Sequence, residues 1–373
     1  MSKVVKKVLI LSAHRQGRSP SQRFRYEQYV PYLESKGYVF DYSFLISKTD
    51  DGFFYKKGHF LRKLFFLYRS IIKRFSDLKS VKDYDIVFIQ REAFLLGTVY
   101  FERKISEVGV PIIFDFDDAI WEVNRAGGNK ALSFLKKPDK TSQILSLSSA
   151  VIAGNRYLAD YASKFNPNVT VIPTTIDTTY HYPKVMNQKV VIGWTGTFST
   201  FPYFENLIPL LSRIKKKHAE VEFKIIVDFD LEIPELGIGT TKWDKRQEID
   251  QLREISIGVM PLPDNKWTRG KCGFKGLQYM SLGIPTLMSP VGVNTEIIND
   301  GVNGFLPQNE SQWFKRLSEL IESAELRSEI GQRGYEDVVK KYSVEVNKRH
   351  YLKLFEEVTS HVNDDNERTQ EKR

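Results

Sequence analysis

Short β-branched or apolar runs alternate with helical patterns along the whole chain, and this alternation is the strongest constraint on its fold. Strand-like runs lie at Val8–Ser12, Tyr38–Phe44, Ile86–Gln90, Ile112–Phe116, Val151–Ala153 and Val169–Ile172 in the first half. The second half carries them at Val190–Trp194, Glu222–Val227, Ile257–Met260, Thr286–Met288 and Gly304–Phe305. Helical periodicity separates most of them, as at Ser21–Lys36 and Tyr203–His218. Strands that are apolar on both faces and joined through helices form parallel sheets with helices on either side. The right-handed crossover rule then gives doubly wound α/β units, whose ligands bind outside the carboxyl ends of the strands.

At 373 residues the chain is too long for one typical core and suits two domains. A polar stretch with Pro183, between Ile176 and Lys189, breaks the pattern and reads as a linker. The expected layout is a first domain over 1–180, a second over 189–343, a closing helix over 344–361 that returns to the domain junction, and a polar, disordered tail over 362–373. The one cysteine, Cys272, excludes an intrachain disulfide or a cysteine-cluster metal site and suits a reducing compartment. It reads as a small buried residue. The first apolar run has the length of a strand, and no run of about 18 apolar residues occurs. The expectation is a cytoplasmic protein. A formal net charge of +9 points toward anionic partners.

The richest local signal runs from Arg269 to Leu306. Leu277 to Met280 read as a helix stopping at Gly283, followed by a short buried strand and a glycine turn at Gly292. A helix then opens at Asn294 or Thr295, with Glu296 in its first turn. Glycine turns at helix N-termini offer backbone N–H groups and the positive dipole end to an anion. Arg269, Lys271 and Lys275 add charge in the same place, so the block reads as a nucleotide-diphosphate site.

Two features mark the first half. Strand Ile112–Phe116 delivers Asp117 and Asp118 to its carboxyl end, where carboxylates can orient an acceptor hydroxyl or take its proton. By spacing alone Asp115, Asp117 and Asp118 also suit a divalent cation, or a helix cap. The loop after the first strand holds Arg15, Gly17 and Arg18, with Arg23 and Arg25 just beyond. Gly17 permits a tight turn, the arginines suit phosphate or an anionic acceptor, and Gln90 to Glu92 lie at a similar height. His14 reads as structural. Separately, Lys56–Lys79 places Leu61, Leu64, Phe65, Tyr68, Ile71, Ile72 and Phe75 at helical spacing among basic residues. Such a helix either packs against a sheet or lies on an anionic membrane surface. No nucleic-acid-binding motif accompanies the positive charge.

Taken with the segment Val171 to Asp177 and the run Ala150 to Leu158, the block Ser281 to Leu306 resembles the family 4 (group 1) retaining glycosyltransferases. The likeness spans most of the chain. It implies the GT-B fold, in which two Rossmann-like doubly wound domains face a central cleft. It also implies transfer of a sugar from a nucleotide-diphosphate donor to an acceptor hydroxyl, with retention and without a bound metal or other cofactor. The expected setting is bacterial cell-surface polysaccharide or glycolipid synthesis. The acceptor would then be a saccharide or lipid-linked saccharide, and the enzyme either free in the cytoplasm or peripheral on the inner membrane.

The resemblance assigns roles residue by residue. The second of two family glutamates falls at Gln278, which can still accept a bond from a ribose hydroxyl. The first falls at Gly270, which has no side chain. Asp117 stands where a histidine is common. The segment Gly193 to Thr200 lacks the family's basic residues, so Arg269, Lys271 and Lys275 are expected on the diphosphate. Gly292, Asn294, Thr295 and Glu296 are expected on sugar or phosphate. The catalytic candidates are Asp117 and Asp118, and Gly17 on the N-terminal loop is expected among the donor-binding residues. Two rivals share the fold: a non-catalytic binding relative, suggested by Gly270, and a sugar-nucleotide epimerase.

Overall fold

The computed structural model describes residues 5–56, 58–122, 137, 139–184 and 189–370, without the side chains of 361–370. It divides into two compact units, one formed by Met1–Thr174 with Asn347–Arg373 and one by Thr175–Val346.

The first unit is built on six parallel strands: β1 (Lys6–His14), β2 (Tyr38–Ile46), β3 (Ile86–Gln90), β4 (Ile112–Phe116), β5 (Ala150–Ala153) and β6 (Val169–Val171). Their order is β2-β1-β3-β4-β5-β6. All residues of β3, β4 and β5 are buried, which explains their apolar sequences. Two polar residues interrupt them: Gln90 at the end of β3, and its register partner Asp115 of β4, which also pairs with Ile152. Its carboxylate meets the guanidinium of Arg25 at 2.5 Å, and neither side chain is exposed. Burial raises the Asp115 pKa and Arg25 opposes that rise, so the arginine is what allows a charge to sit inside the sheet. The final helix, Val344–Gln370, lies on this sheet. Tyr351 stacks on Tyr29 with ring centroids 4.1 Å apart, and Phe355 meets Tyr38 edge-on at 5.4 Å. The helix thus joins the first unit from Asn347 onward and continues as far as Gln370 into the stretch expected to be a tail; 371–373 lie outside the described residues.

The second unit carries five parallel strands: β7 (Val191–Thr195), β8 (Glu222–Val227), β9 (Thr241–Lys242), β10 (Ile257–Met260) and β11 (Thr286–Met288). Their order is β11-β10-β7-β8-β9. The core beneath them includes Trp194, Leu211, Ile214, Ile257, Val259 and Leu317. In place of a full strand at Gly304–Phe305, Phe305 makes a single parallel bridge to Leu287 of β11, its N–H donating to the Thr286 carbonyl at 3.0 Å, while Gly304 bridges Asp300. The two-residue edge strand β9 has too little sequence to be read in advance.

Both long helical stretches anticipated from periodicity are broken. Ser21–Lys36 resolves into Pro20–Arg23, a 3-10 turn at Glu27–Tyr29 and Val30–Glu34; Tyr203–His218 becomes Phe201–Glu205 and Ile208–Lys217. Pro31 and Pro209 sit at the starts of the later pieces, where a missing N–H costs nothing, and each stops an upstream helix from running through. The stretch read as a linker belongs to the second unit. The Ile176 N–H donates to the Tyr342 carbonyl at 2.8 Å, and Val344 returns a bond to Ile176 at 3.1 Å.

Removing the carboxylate in Asp115→Ala leaves Arg25 buried without its counter-charge. This substitution is expected to destabilise the first unit by about 3–5 kcal/mol, read from its denaturant midpoint against wild type.

Candidate functional site

Strand order reverses direction beside β7, where β8 lies on one side and β10 on the other, so the edge where β7 and β10 end is the topological switch point of the second unit. The Arg269–Glu296 block folds onto this edge. Helix Lys266–Arg269 ends at Gly270, and helix Phe274–Ser281 begins after Gly273, whose φ of 67° is left-handed. A Cβ on Gly273 would lie 2.2 Å from Ile297 and 3.6 Å from Oδ1 of Asn294. Gly292 has φ 55°, and a Cβ there would meet the Arg269 carbonyl oxygen at 2.5 Å. The two glycine turns therefore press against one another, at a separation no side chain would permit.

Around this contact stand the expected ligand residues. The ammonium of Lys271 lies 5.0 Å from the centre of the Trp267 ring, and that of Lys275 lies 5.8 Å from Trp194 at the end of β7. Cation–π contact holds both amines at the edge of the sheet. Arg269 forms a two-pronged bond to Asp264, at 2.6 and 2.9 Å. That pair is half exposed, so its opening would cost little. Gln278 is buried, and its amide nitrogen has no protein partner. Asn294 is buried too; its amide nitrogen donates to the Ser289 carbonyl at 2.9 Å while Oδ1 has no partner. Two orphaned amide atoms at one edge are what a polar ligand would satisfy.

Part of the expected backbone cradle is closed. The N–H groups of Asn294, Thr295 and Glu296 donate to Val291, Gly292 and Val293 within their own turn, and the Thr295 hydroxyl bonds the Gly292 carbonyl at 2.9 Å. Helix Asn294–Ile297 is a single turn, so its first amides are absorbed by tight turn bonds and do not face outward as the sequence suggested. Thr295 and Glu296 offer side chains on an exposed surface instead. Two further contributors escaped sequence reading. The Tyr279 hydroxyl accepts the Thr195 N–H at 2.9 Å and so ties the helix to the end of β7, and Trp194 seats Lys275. Nothing in the spacing of either residue announces these partnerships. Cys272 is buried, as expected.

The first unit has its own switch point, where β1 and β3 end. Arg91, just after β3, adopts φ 65°, an uncommon conformation for a residue with a side chain. Its guanidinium reaches Asp117 at 2.8 Å, Asp118 at 2.6 Å and the Ser21 hydroxyl at 3.0 Å. Arg91 therefore clamps both catalytic candidates, while Asp115 faces Arg25, so the three carboxylates divide between two arginines and do not converge. Among the described residues no group of three or more His, Cys, Asp or Glu is placed to hold a metal. The Gly17 N–H donates to Glu27 at 2.8 Å, and Arg15 and Arg18 both pair with Asp51; this loop is fastened internally. Nε2 of His14 and the Tyr55 hydroxyl share a bond of 2.9 Å, and Nδ1 is buried without a partner. Burial, and then Arg18, lower the His14 pKa to about 4, so the imidazole is neutral at pH 7. Burial likewise pushes the Tyr55 phenol up to about 12.

Residues 189–323 match the family model described as glycosyl transferases group 1. The second unit is a group 1 glycosyl transferase domain. Solved structures give the architecture of the whole chain. Sucrose-phosphate synthase from Thermosynechococcus elongatus is similar over 95% of this chain and 100% of its own, at 13% identity and a TM-score of 0.69. Anabaena HepE in complex with UDP-glucose is similar over 94% and 99%, at 12% identity and a TM-score of 0.67. A glycosyltransferase from Rickettsia africae reaches 95% and 99%, at 12% identity and a TM-score of 0.67. No curated protein matches in sequence. The fold of this chain is thus GT-B, with two Rossmann-like units.

Two outcomes follow. Gly292→Ala is expected to push the Arg269 and Asn294 turns apart and destabilise the second unit by about 1–3 kcal/mol, seen as a lower thermal midpoint. The folded pKa of His14 lies below its ordinary value of 6.5, so the folded state prefers neutral imidazole. His14 therefore contributes stability above pH 6.5, and the contribution is lost as pH falls toward 4. Unfolding titrations of wild type and His14→Gln should diverge across that window, with wild type showing the steeper acid loss.

Proposed function

We propose that this glycosyltransferase takes a sugar from a nucleoside-diphosphate donor held by the second unit and delivers it, with retention, to an acceptor hydroxyl bound by the first. The observation that carries this reading is the meeting of the Gly273 and Gly292 turns at the β7–β10 switch point, with Lys271, Lys275 and two orphaned amides around it. When the bond between the anomeric carbon and the diphosphate oxygen breaks, negative charge grows on the leaving oxygen. Lys271, Lys275 and the N-terminus of helix Phe274–Ser281 stabilise it, and Arg269 joins them on release from Asp264. Gln278 takes a ribose hydroxyl; Asn294, Thr295 and Glu296 take the sugar.

In the first unit the Arg91-clamped Asp117 and Asp118 orient the acceptor hydroxyl. Fixed carboxylates suit positioning, because a hydroxyl held against the anomeric carbon on the face the diphosphate leaves removes much of the entropic cost of transfer, and its proton passes to the departing diphosphate oxygen. No metal is assigned to the reaction. The product class is a bacterial cell-surface polysaccharide or glycolipid. HepE has been solved with UDP-glucose, which puts uridine donors first among the nucleotides to test. Gly270 keeps a second reading alive: its backbone is right-handed, with φ −79°, so the conformation does not itself demand glycine, and the missing side chain fits a binding relative that has lost turnover.

Calorimetry of the whole chain against UDP, GDP and ADP tests the donor site. One diphosphate should bind selectively, and Lys271→Ala and Lys275→Ala should each weaken it by about tenfold. Unchanged affinity in folded variants would remove these lysines from the phosphate. Product analysis then separates transfer, which releases the nucleoside diphosphate with a glycoside, from a binding protein that releases nothing.

A further inference from the structure

Helix Phe60–Ser80 inverts the usual arrangement of a surface helix, in which the apolar stripe turns inward. Its inward face is Phe66, Ser70 and Arg74. Arg74 is buried and fully occupied: it donates to the Ala93 carbonyl, to the Ser43 hydroxyl at 2.7 Å, to Asp77 at 2.7 Å and to the Ser12 carbonyl at 3.2 Å. The large apolar side chains point away from the unit. Leu61 is 78% exposed, Leu64 54%, Phe65 65%, Tyr68 62%, Ile72 50% and Phe75 43%. At 100° per residue they share one continuous stripe. The stripe extends onto a neighbouring helix, where the Tyr100 ring lies 5.8 Å from Phe75 and is itself 43% exposed. Isolated exposed apolar residues need no explanation, but a contiguous row of this size marks an interaction surface. Packing against the sheet, one of the two readings open from the sequence, is thereby removed.

Charge selects the occupant. The helix carries six cations, Arg62, Lys63, Arg69, Lys73, Arg74 and Lys79, against the single carboxylate Asp77. Arg62 and Lys73 border the stripe, and Lys79 lies at its far end; all three are exposed. A second copy of the chain docked on this face would bring its own cations against these. An anionic surface would neutralise them while accepting the apolar row. No helix among the described residues is long and apolar enough to cross a membrane, so the geometry is that of a helix lying in an interface.

We propose that the exposed face of helix Phe60–Ser80 is a docking surface for an anionic lipid bilayer, holding the first unit against the membrane. The row from Leu61 to Phe75 enters the headgroup–acyl boundary, and Arg62, Lys73 and Lys79 meet lipid phosphates. This surface stands independently of the donor chemistry of the second unit.

Flotation of the full chain with phosphatidylcholine vesicles, with and without phosphatidylglycerol, tests it. Binding is expected to vesicles containing phosphatidylglycerol and to weaken as salt rises. A triple variant, Leu61→Ser, Phe65→Ser and Ile72→Ser, should reduce the partition coefficient by more than about tenfold. Lys73→Gln and Lys79→Gln should each reduce it by about fivefold, and they keep the test available should the serine variant not fold. Unchanged melting of the variants confirms that the face packs on nothing within the chain. No binding to anionic vesicles, or equal binding by wild type and variants, would overturn the proposal. So would a dimer by light scattering that the serine substitutions convert to monomer without any vesicle binding, since the face would then belong to a second copy.

Discussion

Parallel strand pairing places every carboxyl end of a sheet on the same edge, and the polar chemistry of this protein follows from that constraint. In a parallel sheet the strands cannot turn back directly, so each is followed by a crossover and each loop leaving a carboxyl end begins on one rim. The rim of the second unit collects Thr195, Lys275, Gln278 and Asn294 from three separate stretches of chain. That of the first collects His14, Arg91, Asp117 and Asp118. Neither group exists in the sequence as a cluster; strand register assembles both.

The two rims handle charge differently. In the first unit nearly every charge near the rim meets an opposite one: Arg91 with Asp117 and Asp118, Arg15 and Arg18 with Asp51, Arg25 with Asp115. Such a set is fixed in position and close to electrically balanced, which suits holding a neutral hydroxyl-bearing partner. In the second unit Lys271 and Lys275 rest on indole rings. A ring face orients a cation, and both ammonium groups are thereby held at the edge of the sheet. The left-handed Arg91 belongs to the same picture, because strain at a single residue is tolerated where several bonds hold the side chain in place.

Helix Phe60–Ser80 shows the cost of reading amphipathicity from periodicity alone. A stripe of Leu, Phe, Tyr and Ile at helical spacing ordinarily announces a core, and hydrophobic spacing is identical whether the stripe faces protein or lipid. What separates the two is the opposite face. Here that face holds Arg74, whose guanidinium finds carbonyl, hydroxyl and carboxylate partners inside the unit, so the polar side is the one turned inward.

The sequence by itself determined the two parallel sheets, because strands buried on both faces must be written as continuous apolar runs, and β3, β4, β5, β10 and β11 were legible for that reason. It also determined the glycine turns at Gly283 and Gly292, whose φ values of 70° and 55° glycine adopts without strain. It located the basic block and the two aspartates at the end of β4. Tertiary structure decided the rest. Asp115 belongs to Arg25 and Asp117 to Arg91, Arg269 rests on Asp264, and Gln278 lies buried with an unmet amide, because partners far apart in the chain are chosen by packing and not by spacing. The single turn at Asn294–Ile297 closes its own amides for the same kind of reason: helix length is set by what surrounds the helix, and a first-turn motif reads alike whether the helix continues or stops.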